Sequence, residues 1–303
     1  MNIDLGLVCT TCGSLANADD EFCEGCGAAV AEPRDVERDH LEIDLGIVAG
    51  VTDRGLVHRR NDDAMFVACG SGGVVAVVCD GVSSSQAPQI AAQLAASVIG
   101  RELLPHVNRE GDRTGPMPAA AIAVADHHVG DLPWTPTPGR SAPSCTAVAA
   151  IWDGTHVSLA WAGDSRAYWV SAGRADLLTS DHSWAQEQVD SGSLTAAEAA
   201  ADRRAHMITR WLGDQGLEQG PGVATIRPTS PGRLVLCSDG LWNLVGTKEL
   251  AQLVGGGLDP LEVALILTRT ALDRGGDDNI TVAVLEIQPV ERDLAHPSSE
   301  EPT

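Results

Sequence analysis

Aspartates recur at the ends of apolar runs in this chain, and that placement constrains the fold more than any other feature. The acidic words are Arg60-Asn61-Asp62-Asp63, Asp80-Gly81, Gly163-Asp164-Ser165-Arg166, Ser238-Asp239-Gly240 and Asp277-Asp278-Asn279. The runs beside them, at residues 73–79, 157–162, 233–237 and 280–287, read as buried strands. A carboxylate is costly to desolvate unless it is paired or bound to a cation. Asp plus Glu total 42 against 20 for Lys plus Arg, so basic partners are too few to pair them all. Oxygen-only donors favour Mg²⁺ or Mn²⁺ over zinc. A cluster of hard divalent cations is therefore expected where these strand ends converge.

The same imbalance gives a net charge of −22, which repels nucleic acid and anionic membrane and favours basic or neutral partner surfaces. No apolar stretch approaches the roughly 18 residues that a membrane span needs. Residues 1–8 lack the basic start and apolar core of a secretory signal, so a soluble cytoplasmic protein is expected. Hydrophobic residues make up 44% but aromatics only 3%, which leaves Ala, Val, Leu and Ile to build the core.

Along the chain, residues 1–27 hold a cysteine cluster and 28–41 are polar and linker-like. The main domain is expected over 42–288, with 289–303 an acidic, proline-containing disordered tail. Within it, 41–51, 64–69, 73–79, 145–152, 156–162, 166–171, 223–227, 233–237 and 280–287 read as strands. Residues 86–104, 118–129, 244–253 and 260–272 read as helices. Residues 181–204 form a polar, helix-prone insert, where Thr195-Ala-Ala-Glu198 is a capping box. Strands in groups with helices between them favour α+β layering.

The cysteines divide into two sets. Cys9-x2-Cys12-x10-Cys23-x2-Cys26 makes two knuckles that suit one tetrahedral, structural zinc ion. The ribbon they define carries acids but no Lys or Arg before Arg34, so a protein-docking role is expected rather than nucleic-acid binding. Cys69, Cys79, Cys145 and Cys237 lie in apolar, strand-like surroundings and read as core thiols, in keeping with a reducing compartment.

Singly, Asp-Gly is a turn signal; the ordered set carries more. The words Arg60-Asn-Asp-Asp-Ala64, Val77-Val-Cys-Asp-Gly81, Ser144-Cys-Thr-Ala147, Ala162-Gly-Asp-Ser-Arg166, Leu178-Thr-Ser-Asp-His182, Leu236-Cys-Ser-Asp-Gly-Leu-Trp242 and Asp278-Asn-Ile-Thr-Val282 stand in family order. In them the chain resembles the metal-dependent protein serine/threonine phosphatases of the 2C family over about residues 42–288. The resemblance implies a four-layer α-β-β-α sandwich of two antiparallel sheets flanked by helices, with two metal ions in a cleft at one end. By position, Asp80 bridges both ions and the Gly81 carbonyl is a further ligand, while Asp239 and Asp278 hold one ion. Asp62 falls where the family often has Glu on the second ion, and Asp63 ligates or orients metal-bound water. Asp164 matches the residue of a weaker third metal, shared with Asp239. The implied reaction is in-line attack on a phosphoserine or phosphothreonine ester by water activated between two Mg²⁺ or Mn²⁺ ions, opposing a protein kinase. The implied partners are phosphoproteins.

Several positions depart from the family. His58 stands where a phosphate-binding Arg is usual, with Arg59 and Arg60 close by as substitutes. Val82-Ser83-Ser84-Ser85 replaces the usual glycine pair, and Val82 leaves out the general-acid His of some relatives, so metal-bound water is the implied alternative for protonating the leaving group. Asn243 occupies a place where some relatives have a third-metal Asp. Residues 181–204 occupy the place of the variable flap beside the cleft, and His182 is expected to pack. Cys79 and Cys237 abut ligand positions but sit among apolar neighbours, which favours packing over a nucleophilic role. The competing reading is a low-activity phosphoprotein-binding adaptor recruited through the zinc ribbon. A calcium-binding structural role fits poorly, since no contiguous EF-hand loop exists.

Overall fold

The structure is a computed structural model that describes residues 7–8, 15–16, 39–107 and 117–289. Cys9, Cys12, Cys23 and Cys26, most of the linker and all but the start of the tail lie outside the described residues. In that stretch, β1 (Leu7–Val8) and β2 (Leu15–Ala16) pair antiparallel.

Among the described residues the main body has eleven further strands, in two antiparallel sheets of six and five. One sheet contains β3 (His40–Asp44), β4 (Val48–Asp53), β9 (Arg166–Ser171), β10 (Arg174–Leu177), β12 (Gly232–Cys237) and β13 (Ile280–Ile287). Its order is β10-β9-β12-β13-β4-β3. The other contains β5 (Asp63–Gly70), β6 (Gly73–Asp80), β7 (Ala147–Trp152), β8 (Val157–Ala162) and β11 (Gly222–Ile226), in the order β11-β8-β7-β6-β5. Helices α1 (Pro88–Val107) and α2 (Met117–Gly130) cover the five-stranded sheet. Helices α6 (Thr247–Val254) and α7 (Pro260–Asp273) cover the six-stranded one. Two short helices, α3 (Trp184–Asp190) and α4 (Ala196–Ala200), form the flap, and α5 (Asp239–Trp242) follows β12.

The period-2 geometry of a strand explains how small residues build this body. In β6, Val74, Ala76 and Val78 face the gap between the sheets, while Val75, Val77 and Cys79 pack under α1 and α2. In β12, Leu234 and Leu236 face the gap and Val235 and Cys237 face the helices. β13 repeats this, with Ala283, Leu285 and Ile287 inward and Ile280, Val282 and Val284 outward. Strands covered on both faces read as continuous apolar runs, and these do.

The sequence reading and the structure differ in places. Residues 41–51 form two strands, because Gly46 adopts φ +78 and reverses the chain between β3 and β4. His40 and Leu41 belong to β3, so the main body starts slightly before the expected boundary. Residues 244–253 begin their helix only at Thr247. β10 was not expected; it is a short, largely exposed edge strand. The Thr195–Glu198 capping box is formed, with Thr195 Oγ1 accepting from the Glu198 amide.

Leu236 is fully buried between the sheets. Its truncation to Ala should cost about 3 kcal/mol through lost burial and a residual cavity. Val223→Ala, at a side chain 61% exposed on edge strand β11, should stay within about 0.5 kcal/mol. Urea unfolding of both variants checks the contrast.

Candidate metal centre

The alternation that fills the sandwich also places its acids. In β6 the even-numbered residues face the gap, so Asp80 extends the Val74-Ala76-Val78 stripe at its open end. Asp63 pairs directly with Asp80 across β5 and β6, on the same face as Val67. On the facing sheet the corresponding positions are polar: Thr52 of β4, Thr281 of β13 and Ser238 just after β12. Their hydroxyls form a chain. Thr52 Oγ1 lies 2.6 Å from Thr281 Oγ1, the Thr281 amide donates to Ser238 Oγ at 3.0 Å, and Ser238 Oγ donates to Asp63 Oδ2 at 2.7 Å. Asn61 joins it, donating to Thr52 Oγ1 and accepting from the Asp63 amide.

Asp239 follows Ser238 as the first residue of α5, and Asp164 lies in the turn after β8. That turn needs a glycine: Gly163 has φ +97, and a Cβ there would lie 2.6 Å from Thr146 Cγ2. Thr146 Oγ1 accepts from the Asp80 amide and lies 2.7 Å from Ser165 Oγ. Asp278 precedes β13, and Asn279 beside it accepts from the Asp62 amide while donating to the Arg54 and Arg60 carbonyls.

The electrostatics are those of too many acids in one place. Burial, and then the charge of Asp239 and Asp278, pushes Asp63 up to about 7 despite its hydroxyl donors. Burial pushes Asp80 well above the usual carboxylate range, with Asp63, Asp239, Asp164 and Asp278 adding to the effect. Asp164 rises to about 8 through burial and Asp239, and Asp239 to about 6 through burial and Asp278. Asp62 is raised by burial against the opposing pull of Arg60. Two carboxylate oxygens, Asp63 Oδ1 and Asp239 Oδ1, are buried without a hydrogen-bond partner. Buried acceptors left in that state are costly unless something positive meets them. Oxygen-only donors, mutual repulsion and orphaned oxygens fit a pair of hard divalent cations. Among the described residues, no three His, Cys, Asp or Glu side chains close on one point as they stand. The acids gather at one end of the sandwich without closing on a point, as like charges favour.

The remaining expected residues divide. His58 Nε2 lies 3.2 Å from Asp278 Oδ1, and Arg60 Nε donates to Asp62 Oδ1 at 2.9 Å, so both of these side chains are turned onto acids. Arg59 is exposed on the same loop. Gly81 bridges to Cys145, and a Cβ on it would lie 2.7 Å from the Asp62 carbonyl oxygen. Asn243 donates to Asp239 Oδ2 at 3.3 Å. His182 packs, stacked on Trp161 and accepting from the Gly163 amide. Cys79 and Cys237 are fully buried; burial pushes the Cys237 thiol up to about 12, which leaves no thiolate nucleophile.

The sequence reading missed the supporting hydroxyls. Ser238 and Thr281 were visible only as members of their words, and Thr52 carried no local signal. It also missed a strut in which Arg166 binds Asp181 through two nitrogens, at 2.9 and 2.7 Å, and lies 3.6 Å over the Trp242 ring. Trp242 Nε1 in turn donates to the Asp164 carbonyl at 2.9 Å.

Buried acids gathered at one end of a two-sheet sandwich, with carboxylate oxygens left unpartnered, mark a site suited to hard divalent cations. Residues 57–262 match the family described as protein phosphatase 2C. The serine/threonine protein phosphatase PstP of Mycobacterium tuberculosis is 28% identical over 239 residues, covering 79% of this chain and 44% of PstP. This chain thus spans less than half the length of that relative. Among solved structures, the S. agalactiae serine/threonine phosphatase superposes with a TM-score of 0.70 at 25% identity, covering 80% of this chain and 99% of that one. The catalytic domain of PstP in complex with two manganese ions superposes at 0.65 with 26% identity, covering 80% and 98%. The chain belongs to the protein phosphatase 2C family.

If repulsion dominates the cluster, removing one charge should stabilise the metal-free protein. Asp80→Asn is expected to raise the Tm of EDTA-treated protein by about 2–4 °C, the shift that about 1 kcal/mol produces at this size. A calorimetric scan showing a lower Tm would mean that Asp80 is held by favourable contacts instead.

Proposed function

We propose that this chain removes phosphate from phosphoserine and phosphothreonine in proteins, opposing a protein kinase. The single observation that carries the reading is the convergence of Asp63, Asp80, Asp164 and Asp239, each raised by burial together with its neighbours' charge. Asp80, with the Gly81 carbonyl, Asp63, Asp62, Asp239 and Asp278 are the groups that would hold two Mg²⁺ or Mn²⁺ ions, and Asp164 with Asp239 would hold a weaker third. Such a pair of ions supplies an activated water and neutralises charge on the phosphoryl oxygens.

The chain's own residues do the rest. The Ser238–Thr281–Thr52 hydroxyl chain keeps Asp63 in one orientation. The Arg54–Arg60 loop, tied down by Asn279, carries His58, Arg59 and Arg60, which would meet the substrate's phosphate. An acidic surface favours phosphosites set among basic residues. Asp239→Asn should lower Mn²⁺-dependent hydrolysis of a phosphothreonine peptide by at least about 10²-fold while circular dichroism stays unchanged. Unaltered turnover in that variant would remove the basis for the assignment.

Residues 1–27 belong to the same reading as a zinc ribbon, with Cys9, Cys12, Cys23 and Cys26 holding one structural ion and the module docking a protein. The free, buried thiols of Cys79, Cys145 and Cys237 support a reducing, cytoplasmic setting. Among the described residues, no helix is long and apolar enough to cross a membrane. Stripping metal and then restoring only Mn²⁺ should leave p-nitrophenyl phosphate hydrolysis intact without zinc, in the full chain and in one lacking residues 1–40. Activity that returns only with zinc would tie the ribbon to catalysis.

A further inference from the structure

Four residues without a glycine, Val82-Ser83-Ser84-Ser85, carry the chain away from Asp80-Gly81. None of them adopts a positive φ; the first residue beyond Gly81 that does is Ala87, at φ +48. Ser83 and Ser84 are exposed, so packing does not hold the middle of the segment. Hydrogen bonds to its carbonyls do. The Val82 carbonyl accepts from the Ser85 amide at 2.8 Å, and the Ser84 carbonyl from the Ser141 amide at 3.1 Å. The carbonyls of Ser83 and Ser85 both accept from one atom, Nη1 of Arg140, at 2.8 and 3.3 Å. Two of the four acceptors of this loop therefore depend on a single guanidinium.

Just before the loop the pattern breaks. Gly81 is buried and its amide donates to the Asp62 carbonyl at 3.2 Å, yet among the described residues no hydrogen bond reaches its own carbonyl. Buried backbone carbonyls are seldom left so. This is the carbonyl that the phosphatase reading gives to a cation. Its peptide plane has to be held from both sides if the oxygen is to stay available. Upstream, Asp80 is fixed by Thr146, whose amide donates to the Asp80 carbonyl at 2.7 Å and whose Oγ1 accepts from the Asp80 amide. Downstream, the Val82 amide donates to the Ser144 carbonyl at 3.0 Å, and beyond that the loop relies on Arg140 and Ser141.

The stretch between α2 and β7 delivers the Arg140 side chain. Gln86 grips it, donating from Nε2 to the Thr135 carbonyl at 2.6 Å and to Thr137 Oγ1 at 2.7 Å, and accepting from the Thr135 amide at 3.3 Å. A turn follows in which the Arg140 amide donates to the Thr137 carbonyl at 3.1 Å and Gly139 takes φ +77. The Gln86 amide then donates to the Ser141 carbonyl at 3.0 Å and closes the bracket. His58, Arg60 and Arg166 are each set on a carboxylate. Arg140 makes no ion pair among the described residues; its charge meets carbonyl dipoles instead.

We propose that Arg140 is a positioning residue for the metal centre. By holding the Ser83 and Ser85 carbonyls it fixes the loop that keeps the Gly81 carbonyl available to a cation. The inference rests on the phosphatase reading above, and in this role Arg140 touches neither substrate nor ion. Charge and geometry predict opposite outcomes when the side chain is removed. A cation near a divalent ion repels it, so loss of Arg140 would tighten Mn²⁺ binding if its charge alone mattered. Loss of a group that orients a ligand weakens metal binding, by about 10–100-fold.

The test is calorimetric titration of the metal-stripped full chain with Mn²⁺, alongside its melting temperature. Arg140→Ala should weaken Mn²⁺ binding by about 10-fold. Arg140→Lys, whose ammonium still has donors for two carbonyls, should stay within about threefold of wild type. Because Arg140 is exposed, both variants should melt within about 2 °C of wild type. Unchanged or tighter Mn²⁺ binding in Arg140→Ala would overturn the role. So would an equal loss in both variants, or a loss accompanied by a lower melting temperature, since either marks general loosening of the fold. A wild-type chain that takes up no Mn²⁺ would overturn the phosphatase reading itself, whatever Arg140 does.

Discussion

Aspartates buried together at one end of the sandwich, each costly to desolvate and repelled by its neighbours, constrain the rest of this molecule. Two unit charges 4 Å apart repel by about 4 kcal/mol in a medium of protein-surface polarity, and here Asp63, Asp80, Asp164 and Asp239 each feel at least one other. A fold of marginal stability tolerates that only if the surrounding framework is rigid and the charge is met by something bound. Both conditions shape what surrounds the acids. The framework is two sheets filled on every face, and the receiving oxygens of Asp63 and Asp239 are left unpartnered by protein. Strain of this sort belongs to sites where function is exchanged against stability.

Rigidity arises from neutral groups. Ser238, Thr281 and Thr52 extend the inward stripe of the six-stranded sheet where apolar filling stops; the Thr52 and Thr281 hydroxyls meet, the Thr281 amide donates to Ser238 Oγ, and Ser238 Oγ donates to Asp63. Asn279 does the equivalent work for the backbone, joining β13 to the loop that carries Arg54, Arg60 and Asp62. On the other side Arg166, Asp181 and Trp242 tie the flap entry to the turn of Asp164 and to the helix of Asp239. The backbone around the acids is thus held largely by contacts between other groups, while Ser238, Arg60 and His58 meet the carboxylates of Asp63, Asp62 and Asp278 directly.

Much of this was legible in the sequence because burial on both faces leaves a plain mark. β6, β8, β12 and β13 read as apolar runs, and the aspartates that end them are distinguished by that contrast alone. What was not legible has physical causes. Residues 41–51 carry apolar side chains through a reversal, so the turn at Gly46 is masked by its neighbours. β10 lies at a sheet edge with little burial, and a short exposed strand leaves no periodic signal. Thr52 and Thr281 are ordinary residues whose roles exist only because two strands meet side by side.

The pairing of Asp63 with Asp80, and the continuation of an inward stripe into Asp80, carry a consequence for how such chains can change over time. Side chains alternate strictly along a strand, so loss or gain of one residue within β5 or β6 would rotate an acid out of the sandwich and under the helices. Indels in pairs would preserve its direction and merely move it along the axis. Length variation in these strands should therefore accumulate in even steps, with odd changes confined to the turn at Gly70–Gly73, where no carboxylate depends on parity.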